Sequence, residues 1–209
     1  FASADEPESS FPVEQSVLFD QVIKELADNG HQPTIIHMAN SAAAINFPAS
    51  HRSMVRPGIA IYGAEPSVDL RDRCDQIGLK PTAQFETEVR HIHEIKSGET
   101  VSYGRRWIAP HDTLLATLPV GYGDGIPRSW WEEGCVIING QRCPIRGVIT
   151  MDQLMVEVGA KVAVGDKAVL FGEQDGEVIT AGEIAQTTET ISYEILANVG
   201  KRVPRIYEN

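Results

Sequence analysis

The spacing of apolar residues changes once along this chain, and that change divides it. Between Val13 and Ala27, apolar residues fall at Val13, Val17, Leu18, Val22, Ile23, Leu26 and Ala27. This i, i+4 stripe predicts an amphipathic helix, and Gly30 stands just past its end as a stop. Pro33 leads into Thr34-Ile35-Ile36-His37-Met38-Ala39, a short apolar run of the kind that forms a buried parallel strand. A second run, Met54-Val55-Arg56-Pro57-Gly58-Ile59-Ala60-Ile61-Tyr62-Gly63, follows a small-residue segment. Helix and strand in succession, with polar residues at the strands' carboxyl ends, predict a piece of an α/β layer or barrel.

Beyond Gly63 the texture is different. Ala64 to Pro81 reads as a polar connection and a domain boundary, giving an α/β part over residues 1–78 and a second domain over 79–209. Short strand-like runs follow at Phe85–His93, Leu114–Val120, Val136–Ile138, Cys143–Ile149, Leu154–Val158 and Ala168–Phe171. Asn139-Gly140 between two of them is a strong hairpin signal, and Gly165-Asp166 and Asp175-Gly176 mark further turns. These features predict a mainly antiparallel β domain. Thr180-Ala181-Gly182-Glu183 fits a capping box that starts a helix, and another helix is expected through Ser192–Val199, ended by Gly200.

Composition narrows the functional classes. The 209 residues, 42% hydrophobic, suffice for one large or two modest cores. A net charge of −11 argues against nucleic acid and anionic membrane surfaces as partners. No apolar run approaches the roughly 20 residues of a membrane span. Cys74, Cys135 and Cys143 are odd in number and lack CxxC spacing, which suggests neither a disulfide framework nor a zinc site, and a reducing cytoplasm fits. Phe1-Ala2-Ser3-Ala4-Asp5-Glu6 has no initiator methionine and no signal-like segment, so it reads as the middle of a longer protein.

Three tracts carry polar groups placed for chemistry. They are Val101-Ser102-Tyr103-Gly104, Pro119-Val120-Gly121-Tyr122-Gly123-Asp124-Gly125-Ile126-Pro127-Arg128, and Met151-Asp152-Gln153. Each tyrosine sits beside glycine at the end of a strand-like run, where a phenol can project into a cleft. Ser41 and Gly58-Ile59 can together supply a hydroxyl and two amides to a phosphate. Equally, Ser41 can cap a helix begun by Ala42-Ala43-Ala44. Arg56 inside an apolar run must either pair or reach a polar cavity. His91-Ile92-His93 puts two imidazoles on one strand face, but with no third ligand this reads as a solvated face and no metal is expected.

These tracts, together with His37-Met38-Ala39-Asn40-Ser41-Ala42 and Arg56-Pro57-Gly58-Ile59, resemble the alanine racemases, pyridoxal-phosphate enzymes of bacterial cell-wall precursor supply. The resemblance covers essentially the whole chain, from Phe1–Glu6 to the closing Arg202-Val203-Pro204-Arg205-Ile206-Tyr207, but only the second part of such an enzyme. It implies the last strands and helices of a (β/α)8 barrel followed by the β domain. It implies pyridoxal 5'-phosphate held by Asn40, Ser41, Gly58, Ile59 and Tyr193, with Arg56 on the pyridine nitrogen. An arginine there only donates, so the ring nitrogen would stay largely unprotonated. Tyr103 is the implied catalytic base on one face of the substrate, and Met151, Asp152 and Tyr122 the implied substrate-side residues. A homodimer with active sites shared between subunits is also implied, its product being D-alanine for peptidoglycan. The lysine that would carry the cofactor is absent, since all six lysines lie on expected helix surfaces, turns or strand ends.

There are departures from the family pattern. Val148 takes a corridor position where members often have arginine, while Arg146 sits two residues upstream; Gly123 replaces a common alanine; and Trp130-Trp131-Glu132-Glu133 forms an unusual loop, expected at a surface or interface. A basic amino acid decarboxylase of similar architecture is disfavoured, because no cysteine here stands in a Cys-[DE]-Ser-x-Asp context. A serine or broad-specificity racemase and a non-catalytic dimerisation module remain as alternatives, and the chain alone is expected to be inactive.

Overall fold

The computed structural model describes residues 1–208. They form two compact units, one spanning Phe1–Thr82 and the other beginning at Ala83.

In the first unit, α1 (Phe11–Asp28) starts with a proline in its opening turn, where a missing amide is harmless. It ends in a paired-carbonyl cap, His31 N–H donating to Leu26 O at 2.8 Å and Gly30 N–H to Ala27 O at 3.0 Å, with Gly30 at φ 81°. Within this unit the helix buries Pro12 and Ser16, while Val13, Val17, Leu18, Val22 and Leu26 of the predicted stripe are exposed. α2 (Ser41–Asn46) and α3 (Arg71–Gln76) bring Ala42, Ala43 and Cys74 against Ala4, Ala39 and Leu70 in a small core. The two apolar runs expected as strands pair briefly, through a parallel bridge from His37 to Met54 and an Arg56 N–H bond to Ala39 O at 2.9 Å. Pro57 has no amide to pair and Gly58 turns the chain at φ −108°, ψ −89° into a 3-10 turn, Ile59–Tyr62. Gly63 closes that turn at φ 69°, where an added Cβ would lie 1.7 Å from Lys80 O. The segment expected as a plain connection holds α3, whose Leu70 and Cys74 follow helical spacing among charges that masked it.

The second unit is antiparallel throughout its named strands. β1 (Phe85–Glu88), β6 (Cys135–Ile138), β7 (Gln141–Pro144) and β9 (Lys167–Gln174) form one sheet in the order β1-β9-β6-β7, with β10 (Glu177–Ile179) also on β9. β2 (His91–Ile95), β5 (Thr113–Leu118) and β8 (Leu154–Val158) form a second, and β3 (Thr100–Val101) pairs with β4 (Trp107–Ile108). Asn139 and Gly140, both at positive φ (51° and 68°), make the tight turn between β6 and β7. α4 (Ala181–Thr187) is capped as expected, Thr180 Oγ1 accepting from Glu183 N–H at 3.0 Å, and α5 (Ser192–Ala197) follows. Val136, Ile137, Leu118, Leu154, Val169, Leu170 and Ile184 fill one continuous core. Trp130 joins it at 2% exposure, so the surface or interface expected for its loop does not extend to this residue, although Glu132 and Glu133 are exposed. Burial of so large an indole outweighs the polar appearance of the flanking glutamates.

Candidate active site

The question left open at Ser41 is answered by its neighbour. Asn40, not Ser41, caps α2, its Oδ1 accepting from Ala43 N–H at 3.0 Å. Ser41 opens the helix with its hydroxyl free for other work. That oxygen accepts from Gly58 N–H at 2.7 Å and lies 3.4 Å from Ala60 N. The amide of buried Ile59 has no acceptor among the described residues. Arg56 is exposed and pairs with no carboxylate among the described residues; Nε donates to His37 Nδ1 at 2.9 Å and Nη2 to Met38 O at 3.2 Å. The first unit thus presents a hydroxyl, amides and a guanidinium, all groups suited to an anion or a ring acceptor.

In the second unit Tyr103 stands on a loop of unusual backbone. Ser102, Gly104 and Arg105 have φ of 63°, 73° and 51°. Such left-handed residues persist only where surroundings impose them. Ser102 Oγ donates to Val148 O at 2.6 Å, and an added Cβ on Gly147 would lie 2.9 Å from Ser102 Cβ. Tyr103 is 72% exposed. Val148, assigned to a corridor by resemblance, is buried. Arg146 is tied to Glu157, Nε to Oε2 at 2.7 Å, with its guanidinium 5.3 Å from the Trp107 ring centre.

The other two tracts are brought together. Tyr122 N–H donates to Thr150 O at 3.0 Å and Gly123 N–H to Met151 O at 2.9 Å. An added Cβ on Gly121 would lie 2.1 Å from Thr150 O, so only glycine permits this approach. The turn holding Met151 and Asp152 is closed by Thr150, whose N–H and Oγ1 both donate to Gln153 O at 2.9 Å. Tyr122, Met151 and Asp152 are exposed, and Tyr193 sits exposed in the first turn of α5. Sequence reading missed Arg202, which bonds Asp124 and Asp152 (2.7 Å each) across separations of 78 and 50 residues. No local pattern signals a contact that distant.

The family is decided by two profile matches. The model for the alanine racemase C-terminal domain matches residues 82–207, and that for the alanine racemase N-terminal domain matches residues 1–66. The chain belongs to the alanine racemase family. It is 43% identical over 211 residues to the alanine racemase of Halothermothrix orenii, covering all of this chain and 55% of that protein. It is 44% identical over 209 residues to that of Carboxydothermus hydrogenoformans, covering 99% and 56%. Among solved structures it matches the alanine racemase of a D-cycloserine-producing Streptomyces lavendulae with a TM-score of 0.94 and 36% identity, over 100% of this chain and 55% of that one. The Bacillus anthracis alanine racemase with bound L-Ala-P matches at 0.90 and 37%, over 100% and 54%. The chain therefore spans about half the length of the alanine racemases it resembles, and its fold is the expected barrel part plus β domain.

The remaining candidates take no part in this geometry. The rings of His91 and His93 stack at 5.3 Å, and His93 Nδ1 is shielded without a hydrogen-bond partner, so that face is less solvated than expected. Among the described residues no group of three or more metal-binding side chains is found, no helix is long and apolar enough to cross a membrane, and the three cysteines are free. All six lysines are exposed.

Proposed function

We propose that this chain is the phosphate-holding and β-domain part of an alanine racemase, an isomerase that interconverts L- and D-alanine and supplies D-alanine for peptidoglycan. The observation that carries this is the Ser41 hydroxyl, turned from its own helix toward the amides of Gly58 and Ala60, beside the unpaired amide of Ile59. A hydroxyl and backbone donors, with no carboxylate bonded to them, suit a phosphate dianion and would repel a cation. The residues present therefore fit pyridoxal 5'-phosphate. Ser41, Gly58 and Ile59 would hold its phosphate, with Asn40 keeping the helix start in place; Arg56 would donate to its ring nitrogen. When bound, the cofactor makes the substrate's Cα proton acidic enough to remove.

Exchange of configuration needs a proton taken from one face of Cα and returned on the other, which one side chain cannot easily do. The Tyr103 phenol oxygen is the base on one face. The family's lysine for the other face matches none of this chain's six lysines. Met151 offers its backbone N–H to the substrate carboxylate, with Asp152 beside it, and Tyr122 narrows the approach. Tyr103 and Met151 serve the opposite subunit's site, so the active enzyme is a homodimer, acting in the cytoplasm. The test is a racemase assay with added pyridoxal phosphate on the full-length protein and on this chain alone. Alanine racemisation by the full-length protein only is expected. Turnover of serine in place of alanine, or of neither, would contradict the assignment.

A further inference from the structure

We propose that Arg202 is a positioning residue for substrate recognition, aiming the Met151 amide at the substrate carboxylate. This rests on the reading above, in which that amide meets the carboxylate.

Three segments far apart in sequence meet at the Arg202 guanidinium. Nε donates to Asp124 Oδ1 at 2.7 Å, while Nη2 donates to Asp152 Oδ1 at 2.7 Å and to Met151 O at 3.2 Å. The second oxygen of Asp124 accepts from Gly121 N–H at 2.9 Å, so one carboxylate holds both the Tyr122 turn and the arginine. The segment carrying Arg202 is itself fixed to that turn. Gly200 N–H donates to Asp124 O at 2.8 Å, and an added Cβ on Gly125 would lie 2.1 Å from Asn198 O. Gly123 makes the space, because an added Cβ there would lie 2.5 Å from Arg202 Nη2.

The consequence falls on the two peptide planes that flank Met151. The Thr150 carbonyl is held by Tyr122 N–H at 3.0 Å. Because the intervening peptide is planar and trans, the Met151 N–H points the opposite way, out of the Tyr122 turn. It has no acceptor among the described residues. The Met151 carbonyl takes both Gly123 N–H at 2.9 Å and the guanidinium at 3.2 Å, so the following plane is pinned too. The rigid planar fork holds two carboxylates and a carbonyl in one fixed geometry, which an ammonium on a flexible stem would hold less firmly. The donor for the substrate is thus oriented before substrate arrives, which removes an ordering cost from binding.

The experiment uses the full-length protein with cofactor, in wild-type, Arg202→Met, Arg202→Lys and Asp124→Asn forms, and propionate as a carboxylate probe lacking the amine. Melting temperature and cofactor absorbance report folding. Arg202→Met is expected to raise KM for both enantiomers and the propionate inhibition constant in parallel, about tenfold, which corresponds to 1.4 kcal/mol. Its kcat should change much less, and Arg202→Lys should recover part of the binding. If Arg202→Met does not fold, Asp124→Asn carries the test with the same parallel rise. Unchanged KM and propionate inhibition in a folded variant would overturn the inference, as would a fall in kcat and melting temperature with KM unmoved. A wild type without racemase activity would overturn the functional reading beneath it, a result distinct from either.

Discussion

Ser102 donates its hydroxyl to the carbonyl of Val148 at 2.6 Å, across 46 residues, from a backbone held at φ 63°. That bond fixes the residue before Tyr103 to a buried segment, while Tyr103 itself projects to the surface. Ser102→Ala should cost about 1–3 kcal/mol in stability, since the Val148 carbonyl loses its donor. It should also lower kcat more than it raises KM, because the phenol and not the carboxylate site is displaced. Ser102→Gly relieves the positive φ and should melt higher than Ser102→Ala while showing the same kcat defect. Thermal melts and steady-state kinetics on the full-length protein check both, and a normal kcat in Ser102→Ala would show that Tyr103 does not depend on this anchor.

Gly121 makes a sharper test of packing. A methyl there would lie 2.1 Å from Thr150 O and 2.6 Å from Met151 O, both backbone atoms that cannot swing aside. Gly121→Ala should cost about 1–3 kcal/mol or more. Gly159→Ala, where an added Cβ meets nothing within 4 Å, should stay within about 0.5 kcal/mol of wild type. Equal melting temperatures for the two variants would mean that the two tracts do not pack as described.

How much of this could be read from the chain depends on how local each signal is. Asn139-Gly140 and Thr180–Glu183 act over four residues or fewer, and both formed as expected. α1 was legible from its spacing, though not which of its faces the unit covers. The two apolar runs pair over a shorter stretch than expected because Pro57 and Gly58 end the second just past its contact with Ala39. Ser41 was ambiguous because Asn40, equally good as a cap, stands next to it. Arg202 and Trp130 could not be read at all. One is decided by ion pairs to distant aspartates and the other by a core assembled from many segments.

Ser41 carries the phosphate assignment. Ser41→Ala removes the hydroxyl but leaves the amides of Gly58, Ile59 and Ala60, so cofactor binding should weaken about tenfold and not vanish, the size of one hydrogen bond to a charged group. Titrating the apo full-length protein with pyridoxal phosphate by absorbance reads this. An unchanged affinity would remove Ser41 from the phosphate site.

The cysteines predict a pH dependence. Burial, then the neighbouring Cys135, push the Cys143 thiol up to about 11 from 9.0. Burial raises Cys135 as well, partly offset by Arg142. Because the folded value of Cys143 is raised, its neutral form favours the folded state below pH 9, and that contribution is lost between about 9 and about 11. Alkylation of Cys143 at pH 8 should therefore be slow, and its rate should keep rising well past pH 9. A plateau near pH 9 would indicate an exposed thiol.

The central claim is that Tyr103 exchanges the Cα proton on one face of the substrate. The most direct measurement is racemisation in both directions by full-length Tyr103→Phe, with cofactor absorbance recorded alongside. The expected result is a strong loss of racemisation, by at least the hundredfold typical of a removed proton-transfer group, with cofactor binding nearly intact. Unchanged turnover in both directions would contradict the assignment.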